Sequence, residues 1–251
     1  MALHPRFADK QKTKADNALG ARTSRIVFIP WPPAEAQEFI DKTNQWNRVS
    51  TKGFTILSWQ AGVQQAAIQN AHNDDGTAIY IRGHGNPGQD YIQIKVTGVG
   101  GVTEHKLPII TACQRLIASG LHKSFAGTIK FFHCYSGTVY TKDALKLRDD
   151  KIKSNNTTVK AGYKEGIITK AQRDTFLQPS QSNKSIARIG ADFMRGKGYK
   201  HCTFYGYLGP LESEMADDGH GTWHKQVDVT NLSGGNPLLS TVRASLGRVQ
   251  V

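Results

Sequence analysis

Short apolar runs recur along the chain, and segments whose apolar residues follow helical spacing separate them. Each run is bounded by glycine, proline or other turn-forming residues, which is typical of buried strands. We predict five strands from these runs, within residues 25–31, 53–60, 77–88, 127–137 and 201–211. The intervening periodicity predicts four helices, within residues 33–49, 61–73, 108–125 and 184–199.

Alternating strands and helices are characteristic of α/β proteins, so we predict a mainly parallel central sheet flanked by helices. Residues 91–107, YIQIKVTGVGGVTEHKL, alternate around a glycine-rich tip and predict a β-hairpin inserted between two of these units. The segment after residue 211 mixes short apolar pieces with glycine and supports no firm assignment.

The length of 251 residues suits one large domain with a substantial core. We expect residues 1–23 to form a basic N-terminal tail and residues 24–251 to form a single domain. Residues 138–184 lose all periodicity and contain ten Lys and Arg against five Asp and Glu, so we predict a long basic loop or linker insertion there.

The composition limits the partners and the compartment. No window reaches eighteen consecutive apolar residues, so we expect no membrane span. The charged N-terminal stretch has no apolar core of a signal peptide, which predicts a cytoplasmic protein or one exported without a classical signal. The net charge of +12 is compatible with nucleic acid. However, aromatic residues do not interleave with the basic runs, and we expect no nucleic-acid partner.

Two predicted strands end in residues that carry chemistry. In a parallel sheet, functional sites lie beyond the carboxyl ends of the strands. His84 follows the third strand between two glycines, and Cys134 follows the fourth in the stretch FFHCYSG. A thiol becomes a strong nucleophile when a nearby imidazole takes its proton. The Gly85 amide is then placed to stabilise an oxyanion.

The neighbouring His133 is the alternative base. Successive side chains of a strand point to opposite faces, so a cleft-facing Cys134 predicts that His133 faces away. The other two cysteines fit no metal motif, since the chain has no CxxC pair. Cys113 lies at helical spacing with four apolar residues and is expected in the core.

The two blocks IYIRGHGNPG and IKFFHCYSG resemble those of the caspase-like cysteine peptidases of clan CD. Their His and Cys are 50 residues apart, a spacing similar to that of caspases. The Gln-Ala-Cys of the caspases is absent, and the closest resemblance is to the peptidases of bacterial toxins and effectors. It covers residues 25–211, approximately the part of the chain with clear α/β patterning.

The resemblance implies a soluble cysteine endopeptidase that acts on proteins or peptides and needs no cofactor and no metal. His84 would be the base, Cys134 the nucleophile, and the Gly85 and Cys134 amides the oxyanion hole. It also implies a bacterial effector or toxin component, and self-cleavage within residues 138–184. Mass spectrometry that finds only intact chain in active preparations would remove this last hypothesis.

Three other functions stay open. HGNPG is similar to the oxyanion turn of the α/β-hydrolases. Phe132, two positions before Cys134, fits the required nucleophile elbow poorly, and Ser136 would instead be the nucleophile of an esterase. His220 and His224 are spaced to share a helical face that binds metal, in a segment too rich in glycine for a good helix. Finally, an inactive peptidase fold would leave a basic module that binds nucleic acid or protein.

Overall fold

The computed structural model describes residues 24–49, 53–73, 76–86, 89–137, 184–207, 211–217, 223–228, 241–244 and 248–251. The predicted tail 1–23 lies outside these residues, as does the predicted loop 138–184 except for Lys184, so both stay predictions. No helix in the described ranges is long and apolar enough to cross a bilayer.

The described elements alternate between strands and helices, as the sequence pattern predicts. The strands of the first half are β1 (Arg25–Ile29), β2 (Thr55–Ser58), β3 (Ala78–Arg82), β4 (Tyr91–Gly98), β5 (Gly101–Pro108) and β6 (Thr128–Phe132). Those of the second half are β7 (Thr203–Tyr207), β8 (Leu211–Asp217), β9 (Trp223–Asp228), β10 (Thr241–Arg243) and β11 (Arg248–Gln250). The helices are α1 (Pro33–Val49), α2 (Ala66–Gln69), α3 (Ile109–Ala118) and α4 (Ile186–Gly196), with a 3₁₀ turn at Asn70–Asn73.

Six strands form the central sheet in the order β11-β7-β6-β3-β1-β2. The five strands from β7 to β2 are parallel to their neighbours, and β11 pairs antiparallel with β7 at one edge. The predicted α/β class with a mainly parallel sheet flanked by helices is therefore confirmed. The predicted hairpin is also confirmed, since β4 and β5 pair antiparallel from Tyr91↔Pro108 to Gly98↔Gly101.

Two predictions of elements need correction, and the segment left unassigned after residue 211 contains strands. The helix predicted over residues 61–73 is only the short α2 followed by the 3₁₀ turn. The fourth predicted strand ends at Phe132, so His133 and Cys134 lie in the turn that follows it. The unassigned C-terminal part supplies β11 to the central sheet and also forms a separate three-stranded sheet in the order β10-β9-β8.

Successive residues of β6 contact helices on opposite faces of the sheet. Phe132 packs edge-on against Trp46 of α1, with ring centroids 5.7 Å apart. Phe131 lies against α4 at Gly190 and stacks on Phe204, with centroids 6.4 Å apart. Because strand side chains alternate in direction, α1 covers one face and α4 the other. The core is therefore divided into two apolar layers by the sheet.

Gly190 of α4 lies close against the sheet. A Cβ atom there would fall within 3 Å of the Phe131 ring, which is fully buried. We predict that Gly190→Ala lowers the free energy of unfolding by about 1–3 kcal/mol, the usual cost of overpacking. Urea denaturation monitored by circular dichroism measures it.

Gly196 of the same helix is the matched control, because a Cβ atom added there would have no atom within 4 Å apart from its chain neighbours and the nearby backbone of its own helix. Gly196→Ala should leave stability unchanged or raise it by up to about 1 kcal/mol, because alanine has the higher helix propensity. Equal effects of the two substitutions would contradict this account of the packing.

Candidate active site

The register of the central sheet brings the strand ends that precede His84 and Cys134 side by side at its carboxyl edge. The last pair between the adjacent strands β3 and β6 is Arg82↔Phe132. Each candidate residue lies two positions after its member of that pair. The same edge includes the crevice between β1 and β3, where the direction of strand succession reverses and where sites of open α/β sheets usually form.

Gly85 allows the two strand ends to touch. A Cβ atom at this position would lie 2.6 Å from His133 Nδ1 and 2.8 Å from the Cys134 carbonyl oxygen. Any side chain would therefore separate the two turns. Among the described residues, none accepts a hydrogen bond from the Gly85 N–H. Gly85 itself is buried.

His84 is held by both its backbone and its ring. Its N–H and C=O exchange hydrogen bonds with Gln93 of β4, at 2.8 and 2.9 Å. The ring lies 4.8 Å from the Phe39 ring, centroid to centroid, and its Nε2 is 3.0 Å from Glu38 Oε1. The hairpin and α1 therefore fix the position of the imidazole, whose side chain remains 34% exposed.

Burial lowers the pKa of His84 below its usual value, and the neighbouring ammonium groups of Lys42 and Lys95 lower it further. The carboxylate of Glu38 opposes this shift without reversing it. The imidazole is therefore mainly neutral at pH 7, which is the form that can accept a proton.

Cys134 lies in a tight turn against the start of β8. Its Sγ is 3.3 Å from the Leu211 N–H, which donates to it, and 3.9 Å from the Leu211 carbonyl oxygen. The next residue, Tyr135, has a φ of 55°, in the left-handed region that a tyrosine rarely adopts. Backbone outliers of this kind concentrate at functional sites.

The other two cysteines have a different environment. All three thiols are free, but Cys113 and Cys202 are buried, whereas Cys134 is half-buried. Burial raises the pKa of the Cys113 thiol, as expected for the predicted core residue. Burial also raises the pKa of Cys202 to about 12, despite the nearby guanidinium of Arg195. Cys134 is therefore the one thiol of the three with partial access to solvent.

Ser136 has a structural role in the turn. It is fully buried, its hydroxyl donates to the Phe131 carbonyl at 2.6 Å, and its Oγ accepts from the Tyr207 N–H at 2.8 Å. A hydroxyl enclosed in this way has no path to a substrate. This geometry disfavours Ser136 as the nucleophile of an esterase.

No group of three or more His, Cys, Asp or Glu side chains in the described part of the chain could hold a metal ion. His224 lies in β9, not on a helix, and His220 lies outside the described residues. The hypothesis that the two histidines share one helical face is therefore wrong, because His224 is in a strand.

Sequence reasoning did not find Glu38. This residue lies 46 positions before His84, and only the packing of α1 against the hairpin brings the two together. The sequence shows the pair Glu38–Lys42 at helical spacing, which predicts an ordinary surface ion pair.

No protein-family model matches the chain, no curated protein is significantly similar to it, and no solved structure matches it.

His133 is buried directly behind the site. It is 1% exposed, and neither ring nitrogen has a hydrogen-bond partner among the described residues. Burial lowers its pKa to about 3, and the adjacent Cys134 backbone offsets only part of that effect. An imidazole in this state cannot serve as a base at neutral pH, because it is enclosed and only weakly basic.

This burial predicts acid sensitivity. Between the unfolded pKa of about 6.5 and the folded pKa of about 3, only the unfolded chain takes up a proton at His133. Its contribution to stability is therefore present above pH 6.5 and is lost as the pH falls, by about 1.4 kcal/mol per pH unit.

His133→Leu removes this proton uptake while retaining a similar side-chain volume. We expect the variant to lose less free energy of unfolding than the wild type between pH 7.5 and about pH 5, measured by urea denaturation. Parallel pH dependences in the two proteins would show that His133 is not buried in its neutral form.

Proposed function

We propose that the chain is a cysteine endopeptidase of the caspase-like kind, in which His84 and Cys134 act as a dyad. The observation that carries this proposal is the register Arg82↔Phe132, which places both residues at one edge of the sheet, with Gly85 against the Cys134 carbonyl. The strand order, with five parallel strands and an antiparallel edge strand, is compatible with a caspase-like fold.

The chemistry follows from the residue types. His84 takes the proton from the Cys134 thiol, and Sγ attacks the carbonyl carbon of the scissile peptide bond. The resulting oxyanion accepts hydrogen bonds from the N–H groups of Gly85 and Cys134. The C–N bond then breaks as the His84 imidazolium gives its proton to the leaving amine.

Water completes the cycle. The first half of the reaction leaves the acyl part of the substrate on Sγ as a thioester. His84 removes a proton from a water molecule, which attacks this thioester and releases the carboxylic acid and the thiol. No cofactor enters either half. The resemblance to toxin and effector peptidases supports a bacterial effector or toxin component that cleaves itself, with residues 138–184 as the candidate cleavage region.

Covalent labelling tests the nucleophile. A peptidyl acyloxymethyl ketone should label the wild-type chain, and Cys134→Ala should abolish the label. Cys113→Ala and Cys202→Ser are the matched controls, and they should retain it because both thiols are buried. Intact-protein mass spectrometry counts the adducts. A label that persists in Cys134→Ala would place the nucleophile elsewhere.

Turnover of a peptide library by the same proteins tests the base. We expect His84→Ala to lower kcat/KM by about 10²–10⁴-fold, the usual contribution of a general base, and His133→Leu to cost much less. Equal losses in the two variants would contradict the assignment of His84.

A further inference from the structure

The carboxylate of Glu38 contacts one particular nitrogen of His84. Its two oxygens lie 3.0 and 3.3 Å from Nε2. The pKa of Glu38 is lowered, because bonds and charge from Lys42 and His84 outweigh the opposing effect of burial, so the carboxylate is ionised at neutral pH. An ionised carboxylate only accepts hydrogen bonds. Nε2 must therefore carry the proton, and Nδ1 of the neutral ring carries the free lone pair.

Lys42 fixes the carboxylate from the other side. One helical turn after Glu38, its Nζ lies 2.7 Å from Oε1, the same oxygen that is 3.0 Å from His84 Nε2. Both charged residues are only partly exposed, with 34% and 24% of their side chains accessible. Phe39, between them in sequence, packs against the imidazole ring. Three residues of α1 thus define the position of the ring.

Charged groups surround His84 from each element packed against it. Helix α1 contributes the Glu38 anion and the Lys42 cation, and β4 contributes the Lys95 cation. At the end of β3, two positions before His84, the Arg82 guanidinium lies over the rings of Trp46 and Phe39 and interacts electrostatically with Glu38. Glu38 is thus the one anion in this group, and the three others are cations.

We propose that Glu38 and Lys42 are positioning residues of the site. Glu38 keeps the proton of His84 on Nε2, so that Nδ1 is the atom that accepts the thiol proton, and Lys42 holds the Glu38 carboxylate in place. The role of Nδ1 as proton acceptor rests on the proposed peptidase function. The assignment of the proton to Nε2 does not.

The titration of His84 tests this arrangement without requiring turnover. The ring protons of His84 are followed by NMR against pH in Cys134→Ala protein, with Glu38→Gln or Lys42→Met added. Removal of the anion should lower the pKa of His84, and removal of the cation should raise it. In wild-type protein, a hydrogen-bonded Nε2 proton should be visible, and its resonance should shift upfield in Glu38→Gln, because a neutral amide oxygen is a weaker acceptor than a carboxylate.

Glu35→Gln is the matched control. Glu35 lies one turn earlier on α1 and binds a different histidine, His105, at 2.8 Å. The Glu35→Gln substitution should leave the pKa of His84 unchanged. In the active protein, Glu38→Gln should lower kcat by about 10- to 100-fold with little change in KM, as for other partners that orient a histidine. The acid limb of the pH dependence of kcat should shift in the same direction as the pKa of His84 measured by NMR.

The results separate the two proposals. If Glu38→Gln leaves the titration of His84 in place, or if Glu35→Gln shifts it equally, the positioning role is wrong whatever the activity. If the titrations shift as expected while the wild-type chain hydrolyses no peptide, the positioning of His84 stands and the peptidase function fails. A Lys42→Met shift in the same direction as Glu38→Gln would overturn the role of Lys42.

Discussion

The arrangement of the candidate site depends on the close approach of two chain turns at Gly85. The absence of a side chain lets the end of β3 lie against the His133–Cys134 turn, where a Cβ atom would meet both His133 Nδ1 and the Cys134 carbonyl. A similar contact fixes the far side of the turn, where Gly137 lies against Gly206 of β7. Strand pairing brings the ends of β3 and β6 together, and Gly85 lets the chain after β3 lie against the turn after β6.

The site has a buried side and a partly exposed side. Behind the turn, His133 and Ser136 are fully enclosed, and Ser136 ties it to β6 and β7. In front, His84 and Cys134 are each partly exposed. Buried apolar layers on both faces of the sheet hold the strand ends that precede these two residues.

The sequence predicts the central α/β part well, because that part depends on local patterns. Strands such as β1 and β3 are continuous apolar runs, as expected for strands covered on both faces, and α1 has the predicted bounds. The polar strands β8 and β9 carry no such pattern, which is why the C-terminal part stays unassigned. The helix predicted over residues 61–73 fails because only Ile68 and Ala71 are buried among its described side chains.

The candidate site is predictable only in part. His84, Gly85 and Cys134 are found because the rule of strand ends depends on topology alone. Glu38 is not found, because its contact with His84 depends on the rotation of α1 and on the path of the hairpin. The alternation of side chains along a strand predicts that His133 points away from the cleft. His133 is indeed buried, but it lies in a turn, and the packing of Gly85 over it is the physical reason.

The most direct test of the central claim is a crystal structure of the chain with a peptidyl ketone bound. The account predicts a bond from the ketone carbon to Cys134 Sγ, with the ketone oxygen within hydrogen-bonding distance of the Gly85 N–H and the His84 imidazole on the same side of the groove. An adduct on another residue, or a Gly85 N–H directed away from that oxygen, would contradict it.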